Sequence, residues 1–305
     1  MLFGRRKPGY TTTVDGAADP EQVVRALSAD GFSGVVLTEH FYHGNTAVRR
    51  DRPWERFVRA YEESFLRMKA IGERLGLDVL FGIEEGVGSG KEVLLYGIRP
   101  QLLYDHPELA AEMTENEYLP LLSSVVHEAG GLVFQAHPFR VRDYIPRPWE
   151  TLPPRLLDGA ETYNACNSTV ENARAVQFAE QHGLRQSAGS DAHTAHFAGR
   201  SGIAVPHRLR DEAALAEALR DGDYPLTPGA RLACRQRGGR PPPQNPRPGE
   251  PMARRGAFCR FPLPGSVQLA LAGVQLGIPA ANGEQLIVAA ALDDLALLQH
   301  ADQVG

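Results

Sequence analysis

Five short apolar runs in this chain lead straight into small groups of His, Asp, Glu or Asn. Run 35–37 leads into Thr38-Glu39-His40, and run 79–81 into Gly82-Ile83-Glu84-Glu85. Run 132–134 leads into Gln135-Ala136-His137-Pro138, and run 160–163 carries Glu161 and leads to Asn164. The segment around Ala188 leads into Gly189-Ser190-Asp191-Ala192-His193. Between the runs lie stretches of helical periodicity, most plainly Phe57, Tyr61, Phe65, Met68 and Leu75. Helices are expected over 20–30, with Asp19 as N-cap, and over 53–76, 115–129, 169–182 and 211–219. Strands are expected over 34–38, 78–83, 92–98, 132–136, 159–163, 185–188 and 202–205. Such alternation favours an α/β fold with a parallel sheet or barrel and crossover helices.

In a parallel barrel the C-terminal strand ends share one face, so the polar groups would converge. Converging imidazoles and carboxylates make a nitrogen/oxygen site suited to Zn, Mn or Fe. Two ions in such a site can activate water and hold a phosphate oxygen. Each residue also has a plainer reading. A lone histidine after an apolar run is more often packed than ligating. Asp191 after Gly189-Ser190 could simply cap the next segment. Glu85 reads as structural, and Glu161 as facing solvent or a helix. The glycine-rich stretch 86–90 lacks the spacing of a nucleotide loop, because Lys91 is followed by Glu92.

The order of these groups resembles the PHP (polymerase and histidinol phosphatase) family. Thr38-Glu39-His40 is similar to its Thr-Asp-His motif, and Gly82-Ile83-Glu84 to its Gly-x-Glu motif. Ala136-His137-Pro138-Phe139-Arg140 matches its His-Pro motif, and Gly189-Ser190-Asp191-Ala192-His193 its Gly-Ser-Asp-x-His motif. Val14-Asp15-Gly16 resembles the Ser-Asp-Gly stretch before the first helix. The resemblance spans roughly residues 10–230. It implies a distorted (β/α)7 TIM-like barrel with one to three divalent ions, Zn, Mn or Fe. His40, Glu84, His137, Asp191 and His193 would be ligands, and Asp15 a weaker one. Glu84, His137 and Asp191 would be the catalytic set, and Glu39 would support the ligands from behind. Arg140, Asn164 and Arg200 would bind substrate, since guanidinium groups hold phosphate well.

One departure is large. Family members usually carry His-x-His just before the Asp-Gly, and here that segment reads Arg5-Arg6-Lys7-Pro8-Gly9-Tyr10-Thr11. A further family histidine would fall near Leu94 and is also absent. The expected function is therefore hydrolysis of a phosphate ester, of histidinol-phosphatase type or on a nucleotide or oligonucleotide. The alternatives are a catalytically impaired PHP-like module with a structural or binding role, or an amidohydrolase-like activity on another substrate.

Charge and cysteine content narrow the field. A formal charge of -5 argues against a general polyanion binder, so nucleic acid is expected only as substrate. Cys166, Cys234 and Cys259 lack CxxC spacing, which excludes a disulfide framework and a cysteine-rich zinc site. No secretory signal or membrane-length apolar run is visible, so a cytoplasmic location is expected. Three regions are expected: a hydrolase domain over 1–230, a Pro/Arg-rich, disordered linker over 231–265, and an apolar segment over 266–305. The linker holds a single acid, Glu250, and cannot bury a core. The last segment has a possible helix at 284–298.

Overall fold

The computed structural model describes residues 19–228 apart from His196. Asp15, the 5–11 segment, the 231–265 linker and the 266–305 segment with its 284–298 helix lie outside the described residues.

The chain opens on helix α1, Pro20–Ala29, where Asp19 Oδ1 accepts the Glu21 N–H at 2.9 Å. This N-cap bond satisfies one of the orphan donors of the first turn. Strand β1, Gly34–His40, is followed by the long helix α2, Trp54–Leu75. Helix α2 buries Phe57, Val58, Tyr61, Phe65 and Met68 along one face, as the periodicity predicts, and ends on Gly76 in the left-handed region. Strands β2, Asp78–Gly88, and β3, Lys91–Tyr96, come next. Helices α3, Gln101–Asp105, and α4, Glu115–Glu128, precede β4, Leu132–Gln135. Strand β5, Gly159–Asn164, helix α5, Thr169–His182, and strand β6, Arg185–Gly189, follow. Strand β7, Ser201–Ile203, helix α6, Glu212–Asp221, and strand β8, Leu226–Pro228, complete the described chain.

Strands β1 to β6 form one sheet in sequence order. The pairs β1–β2, β4–β5 and β5–β6 are parallel, but β3 runs antiparallel to both β2 and β4. The sheet is thus mixed, and it curls into a half-barrel, with residues of both edge strands, β1 and β6, lining one interior cavity. The expected α/β class holds, and the expected distorted (β/α)7 barrel is corrected in strand direction, since the described sheet includes the antiparallel β3. Only Ser89 and Gly90 separate β2 from β3. A connection that short closes a hairpin, whereas a parallel crossover needs about a dozen residues.

The two faces of the sheet pack differently. Phe41, Phe81 and Ile83 face α2, where Phe41 meets Tyr61 edge-on at 4.9 Å and Phe65 meets Phe81 at 5.1 Å between centroids. Leu80, Leu94, Leu132 and Phe134 face inward and are capped by Leu215, Ala216 and Leu219 of α6. Helix α6 closes one end of the half-barrel's interior, and the polar strand ends lie at the other.

Candidate metal centre

Alternation along β1 sends Thr38 and His40 inward and Leu37 and Glu39 toward the helices. Register then sets the neighbours: His40 pairs with Glu84 on β2, Glu84 pairs with Leu94 on β3, and Gly86 pairs with Glu92. Because β3 is antiparallel, its first residues, not its last, lie at the polar end. The Ala136 N–H donates to the Glu92 carbonyl at 3.0 Å and brings His137 beside that residue.

Four side chains meet there. His137 Nε2 lies 3.0 Å from Glu84 Oε1 and 3.1 Å from Glu92 Oε2. His40 Nδ1 lies 3.4 Å from Glu92 Oε1 and 3.8 Å from Glu84 Oε2. Each carboxylate therefore faces both imidazoles, and one donor atom from each of His40, Glu84 and Glu92 fits within 4.8 Å of the others. His40 Nδ1 is buried and makes no hydrogen bond among the described residues, although its ring is close to two carboxylates. A buried nitrogen that faces two carboxylates without a hydrogen bond fits a cation, and the set of His40, Glu84 and Glu92, with His137 against the same two carboxylates, suits Zn, Mn or Fe.

The electrostatics agree. Burial pulls the His137 imidazole down, but hydrogen bonds to Glu84 and Glu92 override it and hold its pKa at about 10. Burial also raises Glu92, yet the His137 hydrogen bond and the nearby positive charges bring it below the ordinary carboxylate value. Without an ion, a proton on His137 takes the place between the two carboxylates. His137 (φ 28°) and Asp191 (φ 49°) both adopt left-handed backbone conformations that non-glycine residues seldom take. Such strain gathers at functional sites.

Of the expected ligands, His40, Glu84, His137, Asp191 and His193 all line one cavity of about 390 Å³, together with Glu92, Lys91 and Arg140. They do not all join the four-donor ring. Asp191 Oδ2 forms a short ion pair with Arg140 Nη2 and accepts from Asn164 Nδ2 at 3.4 Å. Burial pushes Asp191 up, but the Arg140 and His137 charges win and hold its pKa at about 2. His193 is 38% exposed at its side chain, with Nδ1 3.1 Å from the Asp191 carbonyl oxygen.

Three expectations, for Glu161, Arg200 and Glu39, are corrected. Glu161 faces neither solvent nor a helix: it is buried, and its Oε2 accepts the His137 N–H at 3.0 Å and Asn164 Nδ2 at 2.9 Å. Asn164, expected at the pocket, lines the interior cavity with His40, Glu84, His137 and Asp191, and its amide donates to Glu161 and Asp191. Arg200 stands over the Phe197 ring at 4.1 Å and lines neither of the two cavities described. Arg140 does reach the cavity. Glu39 is buried on the opposite side of β1 and touches none of the four donors by hydrogen bond, so it gives them no direct support. Glu85 is structural as expected, accepting from Tyr118 Oη at 2.6 Å and from the His43 N–H.

Sequence reasoning missed Glu92. The expected ligands all follow apolar runs, whereas Glu92 sits at the start of an antiparallel strand. The signal was present in Gly88-Ser89-Gly90, a turn too short for anything but a hairpin.

Residues 170–224 match the family model PHP_C, described as PHP-associated; they run from α5 through α6 and include Asp191 and His193. No curated protein matches the chain. Solved structures similar to it include a two-domain protein from Bacteroides vulgatus containing a predicted PHP-like metal-dependent phosphoesterase. That structure is 17% identical over 74% of this chain and 69% of its own, with a TM-score of 0.48. An amidohydrolase from Chromobacterium violaceum with bound sulfate and no metal is 17% identical over 72% of this chain and 95% of its own, with a TM-score of 0.44. PsfC from Pseudomonas syringae is 16% identical over 74% of this chain and 90% of its own, with a TM-score of 0.47.

Proposed function

We propose that this chain, PHP-related through its segment 170–224 and the order of its motifs, is a metal-dependent hydrolase of phosphate esters. The observation that carries the reading is the ring of His40, Glu84, Glu92 and His137, with His40 Nδ1 buried and without a hydrogen bond among the described residues. These four residues would hold a divalent ion, Zn, Mn or Fe. Such an ion, when bound, supplies Lewis acidity and makes water a stronger acid.

The chain's own residues do the rest. Glu161 fixes the His137 backbone through its N–H and so orients the imidazole. Arg140 and Lys91 line the same cavity as Glu84, Glu92 and Asp191, and their cationic groups are the ones there that would face a phosphate. A cavity of about 390 Å³ takes a small phosphorylated substrate, a nucleotide or the end of an oligonucleotide.

The test is turnover of chromogenic phosphate mono- and diesters by the full chain with Mn or Zn added, beside Glu92→Gln. Activity that needs the metal and falls at least ~100-fold in the variant supports the reading. A second reading, an impaired PHP-like module, is favoured by the absence of His-x-His at 5–11. Metal binding without turnover of any ester would select it.

A further inference from the structure

The proposed function leaves Asp191 unexplained, because the side chain expected to bind metal is held by an arginine. Arg140 is buried, only 8% exposed, two residues beyond His137-Pro138. Its Nε donates to Asn167 Oδ1 at 2.9 Å, and its Nη2 donates to Asp191 Oδ2. Phe139, just before it, has φ 64°, and the Arg140 N–H donates to the His137 carbonyl at 3.2 Å. The backbone thus spends two left-handed non-glycine residues, His137 and Phe139, on a tight turn that carries an imidazole and a guanidinium into the same cavity.

We infer that Arg140 fills a second cationic position beside the four-donor ring, so that the chain holds one divalent ion and a fixed guanidinium rather than a pair of ions. This rests on the reading of the ring as a metal centre. Outside the ring, Glu161 and Asp191, the described carboxylates that face His137 and Arg140, are already committed. Glu161 accepts from the His137 N–H and from Asn164, and Asp191 accepts from Arg140 and Asn164. Recruiting Asp191 to a second ion would strip a buried guanidinium of its carboxylate, which is strongly unfavourable. It would also leave that guanidinium, no longer neutralised by Asp191, facing the second ion at short range in a poorly solvated cavity. The inference accounts for the missing imidazoles: a covalently tethered cation needs no His-x-His to hold it.

The test counts metal, independently of activity. The full chain is stripped with chelator, titrated calorimetrically with Zn and with Mn, and its bound metal measured by mass spectrometry after desalting. One ion per chain is expected, and Asp191→Asn should still bind one, with affinity lowered by no more than ~10–100-fold, as for a residue that supports ligands without being one. Two or more ions in the wild type, or loss of the ion in Asp191→Asn, overturns the inference while leaving the metal centre standing. No ion in the wild type removes the metal centre and the proposed function with it. Should Asp191→Asn fail to fold, the wild-type count decides alone.

Discussion

Neighbouring acids on β2 have opposite fates because their side chains point to opposite faces. Glu84 turns inward to His137 and His40, while Glu85 is buried against Tyr118 and the His43 backbone. Burial raises the Glu85 pKa from an ordinary 4.5 to about 8, although its hydrogen bonds pull the other way. The sign follows by linkage. Between those two values the folded chain keeps a proton that the unfolded chain releases, so stability falls as pH rises from about 4.5 to about 8. A shift of this size corresponds to a few kcal/mol on the order of magnitude. Urea denaturation of the chelator-treated protein at a series of pH values across that window should show the decline, and Glu85→Gln should flatten it. An unchanged slope in the variant would mean that another group titrates there. Residue identity alone did not separate Glu84 from Glu85; strand alternation did.

The elements aim these residues, and β6 shows how little room they leave. A Cβ on Gly189 would lie 2.2 Å from Glu161 Oε1, so the motif glycine is there to let that carboxylate reach the His137 backbone. Gly189→Ala should push Glu161 aside, cost about 1–3 kcal/mol and weaken metal binding. Parallel denaturant and metal titrations check this, and a variant as stable as the wild type with the same metal affinity would contradict it. Helix α5 has a comparable task. Glu171 closes the capping box with Ser168, and its other oxygen accepts the Val141 N–H at 2.7 Å, tying the Arg140 loop to the helix start. The helices and most strand positions were legible from periodicity, caps and glycine stops. The direction of β3 was not taken from them, because a reading built on strand–helix alternation assumes crossovers everywhere. The two-residue turn after Gly88 forbids one.

At the scale of the molecule, the half-barrel is a support closed at one end by α6 and left polar at the other, where the imidazoles and carboxylates face each other. Close carboxylates repel, so an ion that binds only the folded chain should stabilise it. Metal at ~100 times its dissociation constant should add about 2.7 kcal/mol, seen as a rise in melting temperature that chelator reverses. No such rise with Zn, Mn or Fe would count against a metal centre. No described helix is long and apolar enough to cross a membrane. The sequence by itself determined which strands end in His, Asp and Glu, since apolar runs and the polar groups that follow them are local patterns. That was enough to bring His40, Glu84, His137, Asp191 and His193 to one cavity. Only the tertiary structure decided that Glu92 meets His40 and His137 and that Asp191 belongs to Arg140, because both depend on contacts between residues far apart in the chain.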